Sequence, residues 1–245
     1  MKPVLSILIT LLFLAFALPA AAQWTSKGEA GLVIASGNTR TKSGNVKLAL
    51  GYQAEPWTHA STFAAVYAQD EDGTTAQRWE IGEQSQYAFN ERNFWFGALR
   101  YEDDRFSGFD YQGTLSSGVG HKFIETQDTQ ISAQAGLGYK VAETRISVDP
   151  LTGLTIVPDR TTAIAGMGGI DYKHAFNAST TLTDKFAVEA TSDNTFFQNQ
   201  IALEVKMAAR VALAVGYAVR HNTDPPPGFE KTDTLTTINV VYATP

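Results

Sequence analysis

The residues closest to a catalytic pattern are His59 and Ser61, which stand two positions apart in the stretch WTHAST. Side chains two positions apart share one face of an extended strand, so a histidine base would lie beside a serine hydroxyl. That pairing is the chemistry of an ester hydrolase, which also needs a third polar group to orient the histidine. No motif around Ser61 supplies this group, so a hydrolase is an alternative hypothesis and we expect a non-enzymatic protein.

The chain offers few ligands for a metal ion or a cofactor. It contains four histidines and no cysteine, which excludes disulfides, thiolate metal sites and cysteine nucleophiles. The formal net charge of −6 argues against a nucleic-acid partner. We therefore expect no metal site and no cofactor. Acidic residues that could bind calcium are more simply explained as solvated loops: Asp70, Glu71, Asp72, Asp103 and Asp104.

A larger set of charged residues alternates with apolar residues along the chain: Glu29, Lys47, Glu80, Arg100, Glu102, Lys122, Lys140, Lys185, Glu189, Glu204, Lys206 and Arg220. If the apolar neighbours face outward, these charges line an interior. They could set the selectivity of a pore, or pair with one another and fill the space. Our lumen-lining candidates are Lys47, Arg100, Glu102, Lys122, Lys140, Glu189, Glu204 and Lys206.

Alternation with a period of two dominates residues 23–245 and predicts β-strands. Ile131, Leu137 and Tyr139 share one face of such a strand, while Gln130 and Lys140 share the other. Segments of about 11–16 residues exceed the usual strand length and suit a tilted crossing of a bilayer. We count twelve: 26–36, 41–53, 57–69, 78–89, 93–103, 109–124, 128–142, 160–174, 178–191, 195–207, 210–221 and 232–242.

The connections between these segments alternate in length. Short ones lie at 54–56, 90–92, 125–127, 175–177 and 208–209, whereas most of the others are longer: 68–77, 104–109, 143–159 and 222–232. Tight turns on one rim and longer loops on the other are typical of outer-membrane barrels. The sequence thus predicts an all-β, transmembrane antiparallel up-and-down barrel of about twelve strands, with ten or fourteen as alternatives.

Aromatic residues favour the same fold because they fall near both ends of the predicted strands. Phe63 and Phe186 are exceptions in mid-strand, and the run Phe94-Trp95-Phe96 interrupts the alternation locally. Two aromatic belts at the membrane interfaces suit rings that bury one side in lipid and keep a polar edge wet. One belt comprises Tyr52, Trp57, Phe89, Trp95, Phe123, Tyr172 and Tyr242, and the other Tyr67, Trp79, Tyr101, Tyr111, Tyr139, Phe197 and Tyr217.

The N-terminus has the pattern of a bacterial secretory signal peptide. Lys2 precedes an apolar run from Val4 to Leu18, and Ala20-Ala21-Ala22 forms a small-residue cleavage site before Gln23. We therefore divide the chain into a signal peptide, 1–22, and a barrel domain, 23–245. This division predicts the outer membrane of a Gram-negative bacterium, with a soluble periplasmic binding barrel as an alternative.

Several strings in this sequence resemble one family. They are Gly28-Glu29-Ala30-Gly31, Ser36-Gly37-Asn38-Thr39, and a central stretch from Arg100 to Gln112 that reads RYEDDRFSGFDYQ. In this order they resemble the salt-induced outer-membrane proteins of the YdiY-like family, domain of unknown function 481. The resemblance implies an outer-membrane location and a link to salt or acid stress. It supplies no catalytic residues.

These observations favour an integral envelope protein, related to stress tolerance and able to pass small solutes through a narrow pore. The expected partners are outer-membrane lipids and lipopolysaccharide. The barrel-assembly machinery is a further partner, because Ile238, Val240 and Tyr242 share one face of the last predicted strand. That machinery normally reads a terminal aromatic residue, whereas Ala243-Thr244-Pro245 follows Tyr242 here. The sequence leaves the oligomeric state open.

Cleavage after Ala22 can be tested directly. The Ala22→Leu substitution should cause unprocessed precursor to accumulate, because signal peptidase requires a small residue at this position. N-terminal sequencing of the unsubstituted protein from outer membranes should begin at Gln23. A membrane-inserted protein that keeps Met1 would contradict the assignment.

Overall fold

The computed structural model describes residues 24–35, 41–105, 107–148, 153, 155–227 and 229–244, which form fourteen strands. No helix among these residues is long and apolar enough to cross a membrane. The predicted signal peptide and the Ser36–Thr39 string lie outside the described residues. The strands are β1 (Trp24–Ala35), β2 (Thr41–Ala54), β3 (Trp57–Gln69), β4 (Thr74–Ala88), β5 (Asn93–Asp104), β6 (Phe109–Glu125), β7 (Thr129–Thr144), β8 (Ser147–Val148), β9 (Thr155–Ile156), β10 (Arg160–Ala175), β11 (Thr180–Ala190), β12 (Thr195–Lys206), β13 (Val211–Asn222) and β14 (Thr232–Thr244).

Twelve of these strands close into one antiparallel barrel in chain order, which confirms the predicted fold. The first and last strands complete the ring, with Glu29 of β1 opposite Val241 of β14. β7 pairs directly with β10, because β8 and β9 form a separate two-stranded hairpin in the long connection between them. The sequence predicts a longer loop at 143–159. The hairpin shows that part of this loop has its own ladder.

The register shows which face of the sheet is apolar. Four side chains occupy directly paired positions on β5, β6, β7 and β10 and are 53–72% exposed: Leu99, Leu115, Tyr139 and Ile164. Because the wall shields the barrel interior, side chains with this exposure lie on the outer surface. Neighbouring positions along each strand point inward. A soluble barrel would place its apolar face inside, whereas this one carries it outside. The chain is therefore a transmembrane barrel of the outer-membrane kind.

Aromatic rings cluster at both ends of the barrel wall, as expected for interfacial belts. At the rim with tight turns, the Trp57 and Tyr87 ring centroids lie 5.0 Å apart, and Trp24 and Tyr52 are 4.8 Å apart. At the rim with longer loops, the Trp79 ring lies 5.2 Å from Tyr101. The two belts mark the levels at which the wall meets water.

The Phe94-Trp95-Phe96 run keeps the alternation after all. Trp95 faces outward, whereas Phe94 and Phe96 face the interior and are 4% and 2% exposed. The Phe94 ring fills the space that a Cβ atom at Gly120 would need. The run therefore looked irregular only because two inward positions of β5 carry large rings that pack inside the barrel.

β4 extends further towards the outer loop than the sequence predicts, beginning at Thr74 instead of residue 78. Asp70 makes this possible, since its Oδ1 accepts hydrogen bonds from the backbone N–H groups of Asp72, at 2.9 Å, and Gly73, at 3.1 Å. Gly73 has a φ of 140°, which favours glycine. The acidic stretch at 70–72 thus belongs to a tight turn.

Gly136 allows β6 and β7 to approach closely inside the barrel. A methyl group added there would meet the Ser117 carbonyl oxygen and lie 2.8 Å from Gly118 Cα. Because these are backbone atoms, the strands would have to move apart. Gly136→Ala should lower the free energy of unfolding by about 1–3 kcal/mol, as in overpacked interiors.

Urea titration of the refolded barrel, followed by tryptophan fluorescence, measures this change. The matched control is Gly166→Ala on the outer face of β10, where an added Cβ meets only the Ala190 carbonyl oxygen at 3.8 Å. If the two variants have the same free energy of unfolding, the close approach of β6 and β7 does not contribute to stability.

Candidate functional site

The eight lumen-lining candidates all fall on inward positions, but they do not form one site. Two groups of side chains contain four of them, and the barrel wall brings opposite charges together in both groups. The candidates are distributed over β2 (Lys47), β5 (Arg100, Glu102), β6 (Lys122), β7 (Lys140), β11 (Glu189) and β12 (Glu204, Lys206).

The central contact joins Arg220 of β13 to Glu102 of β5. Arg220 Nη2 lies 2.6 Å and 2.7 Å from the two carboxylate oxygens of Glu102, and Nη1 donates to Asp104 Oδ2 at 3.2 Å. β5 and β13 are six strands apart in either direction around the ring of twelve. The ion pair therefore connects opposite walls of the barrel. Glu102 is 1% exposed and Arg220 is 7% exposed.

Arg100 and Phe196 extend this contact across the interior. The Phe196 ring centroid lies 5.1 Å from Arg220 Cζ and 5.5 Å from Arg100 Cζ, so the ring accepts two guanidinium groups. Arg100 also contacts Glu102 and lies 3.6 Å from Glu80 Oε2. Each positive charge in this group therefore has a carboxylate partner and a ring face. We call Glu80, Arg100, Glu102, Asp104, Phe196 and Arg220 the transverse network.

A smaller group lies beside the transverse network. Lys140 Nζ is 2.5 Å from Glu189 Oε1, and the Thr114 hydroxyl donates to Glu189 Oε2 at 3.0 Å. Glu189 stands one residue before the end of β11, as Arg220 stands two before the end of β13. Both strands end there at outer loops. These buried charges thus form a polar layer in the half of the barrel near the longer loops.

A cavity of about 670 Å³, with many polar side chains in its lining, extends through the interior from the tight-turn rim up to Arg100 and Phe196 of the transverse network. Gln84 and Gln134 meet across it, with Gln84 Nε2 donating to Gln134 Oε1 at 3.0 Å. Lys185 and Asp171 also line it and remain well exposed, at 67% and 53% of their side chains. The interior is therefore a hydrated chamber on one side and a bonded layer on the other.

Three of the four remaining candidates lie near the tight-turn rim, and Lys47 lies in the middle of β2. Lys27 bridges Glu29 at 3.1 Å and Glu204 at 2.7 Å, which links β1 to β12. Lys122 pairs with Glu125 at 2.8 Å beside an irregularity in β6. Lys47 faces the interior from β2, and Lys206 is the last residue of β12. Of these side chains, Lys122 and Glu125 line the cavity.

Comparison with known proteins identifies the family. The profile of the family described as "Protein of unknown function, DUF481" matches residues 28–243. The chain belongs to this family. It is also similar to the uncharacterized protein YdiY of Escherichia coli (strain K12), with 22% identity over 231 residues that cover 92% of this chain and 86% of YdiY. The predicted membership is thereby confirmed.

Solved structures agree on the fold of this DUF481 chain. The translocator domain of the autotransporter NalP from Neisseria meningitidis superposes with a TM-score of 0.52 at 10% identity, covering 99% of this chain and 95% of that one. An outer membrane channel from Pseudomonas putida F1 gives 0.51 at 10% identity, covering 93% and 97%. The fold is thus that of bacterial outer-membrane barrels, and the protein belongs in that membrane.

The histidine and serine that suggested a hydrolase do not bond to each other in the DUF481 barrel. His59 Nδ1 lies 2.8 Å from Ser85 Oγ, while the Ser61 hydroxyl donates to Glu83. Both side chains face outward from β3. The predicted contact between His59 and Ser61 is therefore not formed, and His59 bonds to Ser85 instead.

Two of the acidic loop residues, Asp103 and Asp104, lie on opposite faces of the barrel wall. Asp104 faces the interior and accepts from Arg220, whereas Asp103 lies on the opposite face, 3.9 Å from Arg145. Arg145 is held more closely by Asp110, at 3.0 Å. Among the described residues, no group of three or more histidine, aspartate or glutamate side chains is placed to hold a metal ion.

Four residues of the transverse network were not among the eight candidates: Glu80, Asp104, Phe196 and Arg220. Arg220 carried the right alternation, but nothing in the sequence pointed to a partner on β5. Asp104 was grouped with the loops because the end of β5 could not be placed within one residue. The sequence places Phe197 in an outer belt and so turns Phe196 inward, but it does not show the two guanidinium groups that meet the Phe196 ring.

Removing one partner of the transverse network should be costly. Glu102→Leu keeps the volume roughly constant but leaves Arg220 buried without its nearest carboxylate. Loss of one partner from a buried ion pair typically costs about 3–5 kcal/mol, so chemical denaturation of the refolded barrel should show a loss of this size. Asp171→Leu serves as the control and should cost about 0–1 kcal/mol, since its pair with Lys185 is exposed. Equal losses would contradict a special role for the network.

Proposed function

We propose that this protein is a non-enzymatic outer-membrane channel for small solutes, closed at its outer half by the transverse network. The observation that carries the proposal is the contact between Arg220 and Glu102, which joins opposite walls above a polar cavity of about 670 Å³. A barrel whose interior is filled by side chains would not contain an open chamber of this size. A pore would need one, together with a barrier.

The chemistry of the chamber suits hydrated solutes. Its lining combines amide side chains such as Gln84 and Gln134 with the exposed pair of Lys185 and Asp171. Amides both donate and accept hydrogen bonds, so they can replace water around a polar solute. Thr58, Glu125 and Gln130 also line the chamber and lie near the tight-turn ends of their strands, which supports entry from that rim.

The barrier is polar instead of apolar. The transverse network holds carboxylates and guanidinium groups on long side chains, and these can exchange partners with water or ions when the side chains move apart. A twelve-stranded ring also lies between small barrels filled by side chains and the larger porins with an aqueous channel. The dimensions therefore suit a narrow path that is closed at rest.

The similar outer membrane channel from Pseudomonas putida F1 supports the proposal only through its fold. A role in salt or acid tolerance is supported by the family resemblance. Expression under raised salt or lowered pH, together with the growth of a deletion strain, would test it. We also propose that the barrel-assembly machinery recognises the outer face of β14, where Ala243 and Thr244 follow Tyr242 at the end of the strand.

Single-channel recording in planar bilayers tests the proposed channel. The wild type should give small or rare current steps, because the transverse network closes the lumen. Glu102→Ala combined with Arg220→Ala should increase conductance several-fold, since both halves of the bridge are removed.

The matched control is Arg145→Ala combined with Asp110→Ala, which removes an ion pair beside Asp103, on the face away from the lumen. Its conductance should stay near that of the wild type. Folding of each variant is verified by heat-modifiable migration in gels. A folded double variant at residues 102 and 220 that remains silent would refute the channel and favour a filled interior.

A further inference from the structure

The outer surface of the barrel is chemically uneven. On β13 and β14 the outward residues are aliphatic and exposed: Val211, Leu213, Val215, Ile238 and Val240. On β3 and β4 the outward positions at comparable heights are occupied by polar side chains. We call these residues, His59, Ser61, Glu83 and Ser85, the outer polar patch.

The outer polar patch is internally connected. The Ser61 hydroxyl donates to Glu83, and His59 Nδ1 lies 2.8 Å from Ser85 Oγ and 3.9 Å from Glu83 Oε1. The His59 ring also stacks on Trp57, with centroids 5.9 Å apart and planes inclined by 6°. Even so, the side chains of His59 and Glu83 remain 39% and 40% exposed. A large part of each therefore faces whatever surrounds the barrel.

The depth of Glu83 makes acyl chains a poor surrounding for it. Glu83 lies five residues from the end of β4 at Ala88. At a rise of about 3.4 Å per residue and a tilt near 45°, this places its backbone roughly 12 Å above the strand end, within an apolar band about 25 Å tall. In the part of the chain that is described, no lysine or arginine pairs with it. An ionisable side chain at this depth indicates an interaction site.

We propose that the outer polar patch is the contact surface between two copies of this chain, with His59 of each copy facing Glu83 of the other. The patch contains both members of a complementary pair, so a two-fold axis through it would place each beside its counterpart. The small side chains of Ser61 and Ser85 allow two walls to approach closely, as small and hydroxyl-bearing residues do between membrane segments. A lipid headgroup would satisfy Glu83 alone and leave this self-complementarity unused.

Cysteine cross-linking tests this surface cleanly, because the chain contains no cysteine. Ser61→Cys places one thiol in the outer polar patch, four residues beyond Trp57 at the start of β3. Val215→Cys is the matched control on the aliphatic face, four residues beyond Val211 at the start of β13. Ser85→Cys provides a second position in the patch. Each full-length variant is oxidised in native outer membranes and analysed on non-reducing gels.

We expect covalent dimers of twice the monomer mass from Ser61→Cys or Ser85→Cys, and none from Val215→Cys. Adding Glu83→Gln to Ser85→Cys should reduce the dimer yield at least two-fold, since the carboxylate that meets His59 is lost. Heat-modifiable migration verifies that every variant is folded.

Three results would overturn the proposal. One is the absence of dimer from both patch positions in folded protein. Another is an equal yield from Val215→Cys, which would indicate random collision. The third is a cross-linked product of a different mass, which would show that the patch binds another protein. A folded barrel that carries bound phospholipid and stays monomeric at both patch positions belongs to the first result and would favour a lipid site.

Discussion

Closure of the sheet is the constraint on which the rest of this structure depends. The membrane interior offers no hydrogen-bond partner, so every backbone N–H and C=O of the twelve strands must bond to a neighbouring strand. The pairing of β1 with β14 removes the two free edges that would otherwise meet lipid. Once the ring is closed, alternation along each strand divides the residues into an outer and an inner population, and each population then faces its own physical problem.

The inner population must satisfy charges within a narrow space. Arg220 and Glu102 solve this across the lumen, because a buried guanidinium and a carboxylate each need the other in a region of low dielectric constant. The Phe196 ring adds a face that two guanidinium groups can share. Near the other rim, Lys185 and Asp171 stay hydrated and need no such support. The same kind of residue therefore forms a bonded layer across one half of the barrel and lines a chamber in the other.

Strand number, closure and the outward direction of Leu99 or Tyr139 could be predicted from the sequence, because a period of two is a local property of the chain. The partners of inward charges could not. Glu102 and Arg220 are far apart in sequence, and their contact depends on which strands stand opposite one another in the closed ring. Asp103 and Asp104 illustrate the same limit, since one residue of uncertainty at the end of β5 exchanges the interior for the outer surface.

The outer population has the opposite problem, because side chains that face lipid should carry no unsatisfied charge. Val215 and Ile238 meet this condition, whereas Glu83 does not. Alternation places Glu83 on the outer surface as firmly as it places Leu99 there, since the two residues are directly paired. Its hydrogen bond to Ser61 satisfies only part of a carboxylate. The barrel fold thus fixes where Glu83 points, and the chemistry of that position requires a neighbour that lipid tails do not supply.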